Sequence, residues 1–183
     1  LYKVGACRHP ERIVDARGGW RVIDMPAIAV AIEHPTQGVV LYDTGYATHF
    51  AQQTRRFPYS LYPTITPVSF HEQESLRNQL AKDGVDPDDV RTVIVSHYHG
   101  DHIAGLRDFP KARFVSSLSG YDDAKSRTGL SAVMRGFVPG LLPEDFAQRL
   151  SFADDAKSVP LFTTGRDLRR DVDHLPIRLH EPG

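Results

Sequence analysis

Cysteine is almost missing from this chain. Cys7 is the single one in 183 residues, so no disulfide can close within it, and a reducing compartment fits. Long apolar runs are missing too. The longest near the N-terminus, Pro26 to Ile32, is far short of the roughly 20 residues that cross a bilayer, and no signal-peptide pattern precedes it. The expectations are a cytoplasmic location and no membrane partner. Nor is there an excess of charge of one sign. The 22 Lys and Arg against 23 Asp and Glu leave a net charge of -1. That balance offers no electrostatic footprint for nucleic acid and no basic run for an anionic membrane. Internal repeats and low-complexity tracts are also absent.

What is present is an ordinary globular balance, 40% hydrophobic and 25% charged, in a length that predicts one domain over residues 1–183. Trp20 to Ile23 reads as a short strand. Ala27 to Glu33 and Val39 to Tyr42 read as two strands of a mostly buried sheet, joined by the turn residues His34-Pro35-Thr36-Gln37-Gly38. Residues 46–68 read as loop, interrupted by Pro58, Pro63 and Pro67. Tyr46, Phe50, Phe57, Tyr59 and Tyr62 fall in or near it and are expected to pack that loop down; the alternative is that one or two of them line a substrate pocket. Ser69 with Glu72 has the form of a capping box. It predicts a helix through Leu76 and Leu80 that stops at Gly84. Val90 to Ser96 and Ala112 to Val115 are further strands, which makes the class α/β. Leu130 to Leu142 is apolar without a clean period and reads as part of a helical insertion or lid spanning 118–163. Pro143 to Phe146 could open a short helix.

The chemistry concentrates in His97-Tyr98-His99-Gly100-Asp101-His102, directly after a strand, where ligands of α/β proteins gather. In extended chain, residues i and i+2 face one side, so His97 and His99 would converge on one point. Gly100 would let the backbone turn, and Asp101 and His102 would face a second point nearby. Neutral imidazole and carboxylate suit zinc, and also iron or manganese. Two adjacent ions can share a bridging water and lower its pKa.

With Val39 to Gly45, ending in Asp43-Thr44-Gly45, and the stretch from Gln73 to His102, this segment resembles the metallo-β-lactamase superfamily. Gly105-Leu106 and Phe109-Pro110 are similar to N-acyl-homoserine-lactonase-like members. The resemblance is strongest over 20–165. It implies a four-layer αβ/βα sandwich with two divalent metal ions, zinc first among them, at one edge. It further implies that His97 and His99 bind the first ion, that Asp101 and His102 bind the second, and that Asp43 supports the site. Asp101 would also orient the attacking group. The implied activity is hydrolysis of a lactone, ester or related acyl substrate by metal-bound hydroxide, on a small molecule. An iron-dependent redox enzyme of the same superfamily is the alternative, and an inactive metal-binding remnant is another.

The superfamily pattern also requires a third histidine, in a Pro-Gly-His turn, and then an aspartate and a final histidine. No Pro-Gly-His turn occurs here. The chain ends in His180-Glu181-Pro182-Gly183, and His174 and His180 are the candidates for the third ligand. The sandwich is therefore expected to be incomplete at the C-terminus, with 166–183 an atypical charged tail. A sheet face left uncovered would favour a homo-oligomer. His9, His34, His49 and His71 have no ligand spacing and read as structural or solvated.

Overall fold

The computed structural model describes residues 1–13 and 15–155. Its centre is a mixed sheet of seven strands in the order β4-β1-β2-β3-β5-β6-β7. The strands are β1 (Tyr2–Pro10), β2 (Val22–His34), β3 (Gly38–Tyr42), β4 (Val68–Ser69), β5 (Val90–Ile94), β6 (Arg113–Ser116) and β7 (Leu150–Phe152). The half made of β4, β1, β2 and β3 is antiparallel, and β3, β5, β6 and β7 run parallel. Parallel neighbours need crossovers, and these carry the helices. The first holds α1 (Thr48–Gln53), α2 (Tyr62–Ile65) and α3 (Leu76–Lys82). The second holds α4 (Gly100–Ile103). The third holds α5 (Leu118–Lys125), α6 (Gly129–Val133) and α7 (Phe146–Arg149). The α/β class stands. One sheet is formed by the described residues, and the second sheet of a four-layer sandwich is not among them. The tail 166–183, with His174 and His180, lies outside the described residues.

Several local expectations change. The two strands expected on either side of Pro26 are one strand, β2. Proline lacks the N–H that a ladder uses, yet here it is tolerated. Residues 22–29 of β2 pair with β1 alone, whereas β3 pairs only with 30–34, and the β1 register shifts between Lys3 and Ala6, opposite Pro26. Strand β1 has no counterpart in the sequence reading, nor has β7, which falls in the stretch read as an insertion. The capping box at Ser69 does not form, because Ser69 pairs with Ala6 in β4. The helix starts later. Ser75 Oγ accepts from the Asn78 N–H at 3.3 Å and caps α3, and the reciprocal box belongs to His71 and Glu74. Gly84 does end the helix, at φ +81°.

The loop read over 46–68 contains two short helices. Tyr46, Phe50 and Tyr62 are buried and meet edge to face at 5.1 Å, while Phe57 stays exposed. Tyr46 and Phe50 also border an apolar cavity of about 360 Å³ beside Pro63, Val68 and Phe70. The sheet is less buried than expected on one face, where Val22, Ile28, Ile32 and Tyr42 are exposed. The other face is filled by Ala27, Ala29, Leu41, Val93 and Phe114. Among the described residues, no helix is long and apolar enough to cross a membrane.

Candidate functional site

Parallel pairing of β3 with β5 sets their C-terminal ends side by side, and the site is built there. Asp43 leaves β3 with its N–H donating to the Ile94 carbonyl at 2.9 Å. It is buried and takes φ +60°, a left-handed conformation that aspartate tolerates better than most residues. Bent in this way, its carboxylate meets β5. The Ser96 N–H donates to Oδ1 at 2.9 Å, Ser96 Oγ donates to Oδ2 at 2.6 Å, and His102 Nδ1 donates to Oδ2 at 2.7 Å. Thr44, the next residue, gives both its N–H and its hydroxyl to the His102 carbonyl, each at 2.9 Å. The Asp43-Thr44 turn thus holds both the side chain and the backbone of His102.

Five of the expected site residues come together. The rings of His97 and His99 are 4.5 Å apart between centroids, and those of His97 and His102 are 3.9 Å apart. Asp101 Oδ2 lies 3.4 Å from His102 Nε2. His102 directs Nδ1–H at Asp43, so its other nitrogen faces Asp101. Ser96 has one hydroxyl proton and gives it to Asp43. The 3.0 Å contact between Ser96 Oγ and His97 Nδ1 therefore has Nδ1–H as donor, which leaves Nε2 of His97 with a lone pair. Ser96 was not picked out in the sequence. Its position one residue before the histidines is ordinary, and its role comes from Asp43 across the sheet. Gly100 has a different reason from the one expected. A Cβ there would stand 3.0 Å from the Phe50 ring and 3.1 Å from the Tyr62 hydroxyl, so a larger residue would push on both rings. Of the histidines read as structural, His49 pairs with Asp108 at 3.1 Å, and His34 accepts from the Thr36 and Gln37 N–H groups in the β2–β3 turn.

The electrostatics follow from this packing. Burial pushes His97 down, helped by the neighbouring His102 and His99. Burial also lowers His99 against the pull of Asp101. For His102, burial works downward too, but hydrogen bonds to Asp101 and Asp43 and their charges outweigh it and push the imidazole up to about 9. Burial would raise Asp101, yet its contacts with His102 hold the carboxyl below the usual range.

By donor type the set suits a divalent ion, with imidazoles and a carboxylate converging in a half-buried position. By geometry it is not closed. Among the described residues, no group of three or more such side chains stands as a ready metal cage, and Asp101 and Asp43 both face His102. An ion taken up at His102 Nε2 would compete with a proton there.

A fold and a motif of this kind define a family, and the comparisons agree. The family model described as the metallo-beta-lactamase superfamily matches residues 25–183, and the chain belongs to that superfamily. An N-acyl homoserine lactonase, AiiB, of Agrobacterium fabrum is 33% identical over 96 residues, covering 52% of this chain and 34% of that protein. A probable metallo-hydrolase of Mycobacterium tuberculosis is 30% identical over 83 residues, covering 45% of this chain and 26% of its own length. A variant of AiiA from B. thuringiensis, solved with N-decanoyl-L-homoserine at its active site, superposes with TM-score 0.64 at 21% identity, over 87% of this chain and 60% of that one. AidC, a dizinc quorum-quenching lactonase, superposes with TM-score 0.57 at 18% identity, over 86% and 58%. At these identities the structural likeness is one of fold. The chain spans about a third, 34%, of the length of the first curated relatives it matches.

Proposed function

We propose that the chain holds two divalent metal ions, zinc first among them, and hydrolyses a lactone, ester or related acyl substrate. In this reading His97 and His99 bind one ion and Asp101 and His102 the other, with Asp43 as their support. The observation that carries it is the convergence of these residues on the joined ends of β3 and β5, with His97 and His102 oriented through Ser96 and Asp43. Oriented imidazoles of this sort, with Nδ1 tied to a neighbour and Nε2 turned inward, are how metal sites fix their ligands. Relatives that are lactonases by name support the substrate class.

When bound, such ions lower the pKa of water to near neutrality and polarise a carbonyl oxygen. The chain's own residues do the rest. Ser96 and Asp43 hold His97 and His102 in one tautomer. Asp101, ionised at neutral pH, is a ligand and also directs the attacking water at the substrate carbonyl. Phe50 and Tyr62 pack behind Gly100 and keep bulk water from the back of the loop.

The test is acid release from a lactone by the zinc-loaded chain, followed with a pH indicator. The reading expects turnover that falls at least about a hundredfold in Asp101→Asn, the scale of a lost general-base or orienting group. A zinc-loaded chain that opens no lactone, aryl ester or thioester would contradict it.

A further inference from the structure

Next to the histidines lies a cavity of about 160 Å³, lined by His97 and His99 together with Asp123, Arg127, Arg135 and Phe137. Its lining is largely apolar but includes two arginines, which a neutral substrate does not need. Arg127 is occupied. It grips Asp123 through two nitrogens, with Nε at 2.8 Å, and its side chain is only 24% exposed. The Arg135 side chain has no hydrogen-bond or ion-pair partner among the described residues, and its charge reaches the same Asp123. Among the described residues that line the cavity, one carboxylate stands against two guanidinium groups and leaves one positive charge uncompensated.

That charge is registered to the metal-binding segment by backbone. Gly136, beside Arg135, takes φ +63°, and its carbonyl accepts from the Gly100 N–H at 3.0 Å. A Cβ on Gly136 would stand 3.1 Å from the His99 ring, so the chain passes directly against that histidine. The Arg135 and Gly136 N–H groups donate to Ala132 and Val133, closing a tight turn after α6. Arg135 therefore projects from a fixed turn rather than from a free loop.

We infer that the substrate of this site carries a carboxylate remote from the bond that is cut, and that Arg135, backed by the Arg127–Asp123 pair, receives it while the acyl carbonyl lies at His97 and His99. The identification of the anion as part of a substrate rests on the hydrolase reading. The anion subsite itself does not. A guanidinium with no partner offers a planar fork to a carboxylate, and the apolar lining from Phe137 and Ala124 suits the carbon chain between the two ends.

The experiment has two arms on the full chain. In the first, monomethyl adipate (one charge) and dimethyl adipate (none) are titrated into metal-free protein by calorimetry at low salt. The monoanion is expected to bind about tenfold more tightly, the scale of one charge-assisted contact. The preference should weaken with salt, vanish in Arg135→Gln and remain in Arg91→Gln, a surface arginine far along the sheet. Circular dichroism checks that Arg135→Gln, at an exposed position, keeps its fold. Arg135→Glu should reverse the preference. Equal binding of the two esters, or a preference that survives in Arg135→Gln, overturns the inference. In the second arm, monophenyl adipate (one charge) and methyl phenyl adipate (none) are offered to the zinc-loaded chain, and release of phenol is followed. Preferred cleavage of the charged ester, lost in Arg135→Gln with KM rising more than kcat falls, supports it. Equal cleavage of both esters overturns it and leaves the hydrolase reading intact. Preferential binding in the first arm, with no cleavage of either ester nor of a lactone or thioester, overturns the hydrolase reading and leaves the anion subsite standing.

Discussion

His102 is the residue on which the site turns. Its Nδ1 is fixed by Asp43 at 2.7 Å and its Nε2 faces Asp101. In metal-free protein it is expected to titrate at about 9, well above His97 and His99, which burial lowers. The sign is that of a raised imidazole. Its contribution to folding is fully present below the unfolded value of 6.5 and is lost as pH rises through about 9. NMR titration of the ring protons checks this, and Asp43→Asn should bring the His102 midpoint down. A midpoint near 6.5 in the parent chain would refute the pairing. The site was legible at this scale because three histidines and an aspartate in six residues leave few other uses. Ser96, Arg127 and Arg135 were not legible. A serine and two arginines are common, and their roles come from contacts between elements far apart in the chain.

At the scale of elements, the approach to the site is a parallel pair, β3 and β5, whose ends carry the chemistry. Both strands were readable from β-branched runs that end in turn residues. The boundaries around them were less so. Ser69 has the same capping chemistry as Ser75, and only its pairing with Ala6 decides which of the two caps α3. The region 130–142, read as a lid, is fastened at several points, through Gly136 to Gly100 and through Arg107, which donates to the Gly140 and Leu142 carbonyls at 2.6 and 3.0 Å. Arg149 plays the same part for the loop before β6. It donates to the Phe109, Pro110 and Ala112 carbonyls at 3.2, 2.8 and 2.8 Å and lies 4.5 Å over the Phe114 ring, which itself stacks on Phe146. Arg149→Ala should therefore cost about 2–4 kcal/mol, since three carbonyls lose a charged donor and an aromatic contact goes with them. Urea unfolding measures it, and a loss under about 0.5 kcal/mol, the range of neutral surface changes, would show that the loop is held by other means.

For the whole molecule, the exposed face of β2 and β3 is the feature with most consequence. Val22, Ile28, Ile32 and Tyr42 face outward on one side of β2 and β3, as period-two strands allow, and leave exposed apolar side chains of the kind that a partner normally covers. The sequence showed the apolar residues but not which side each would face, because Ala27 to Glu33 is apolar at nearly every position. Light scattering of the 183-residue chain should give a mass above the 20.5 kDa of one copy, with the excess lost in Ile28→Lys. A monodisperse monomer would show that this face needs no second copy.

The central claim is that the segment from His97 to His102 holds metal. Elemental analysis of protein purified without chelator tests it most directly, with His97→Ala as control. The account predicts about two zinc equivalents per chain in the parent, as for a paired site, and a clear loss in the variant. Parent and variant that both emerge without metal, from a preparation folded by circular dichroism, would contradict it.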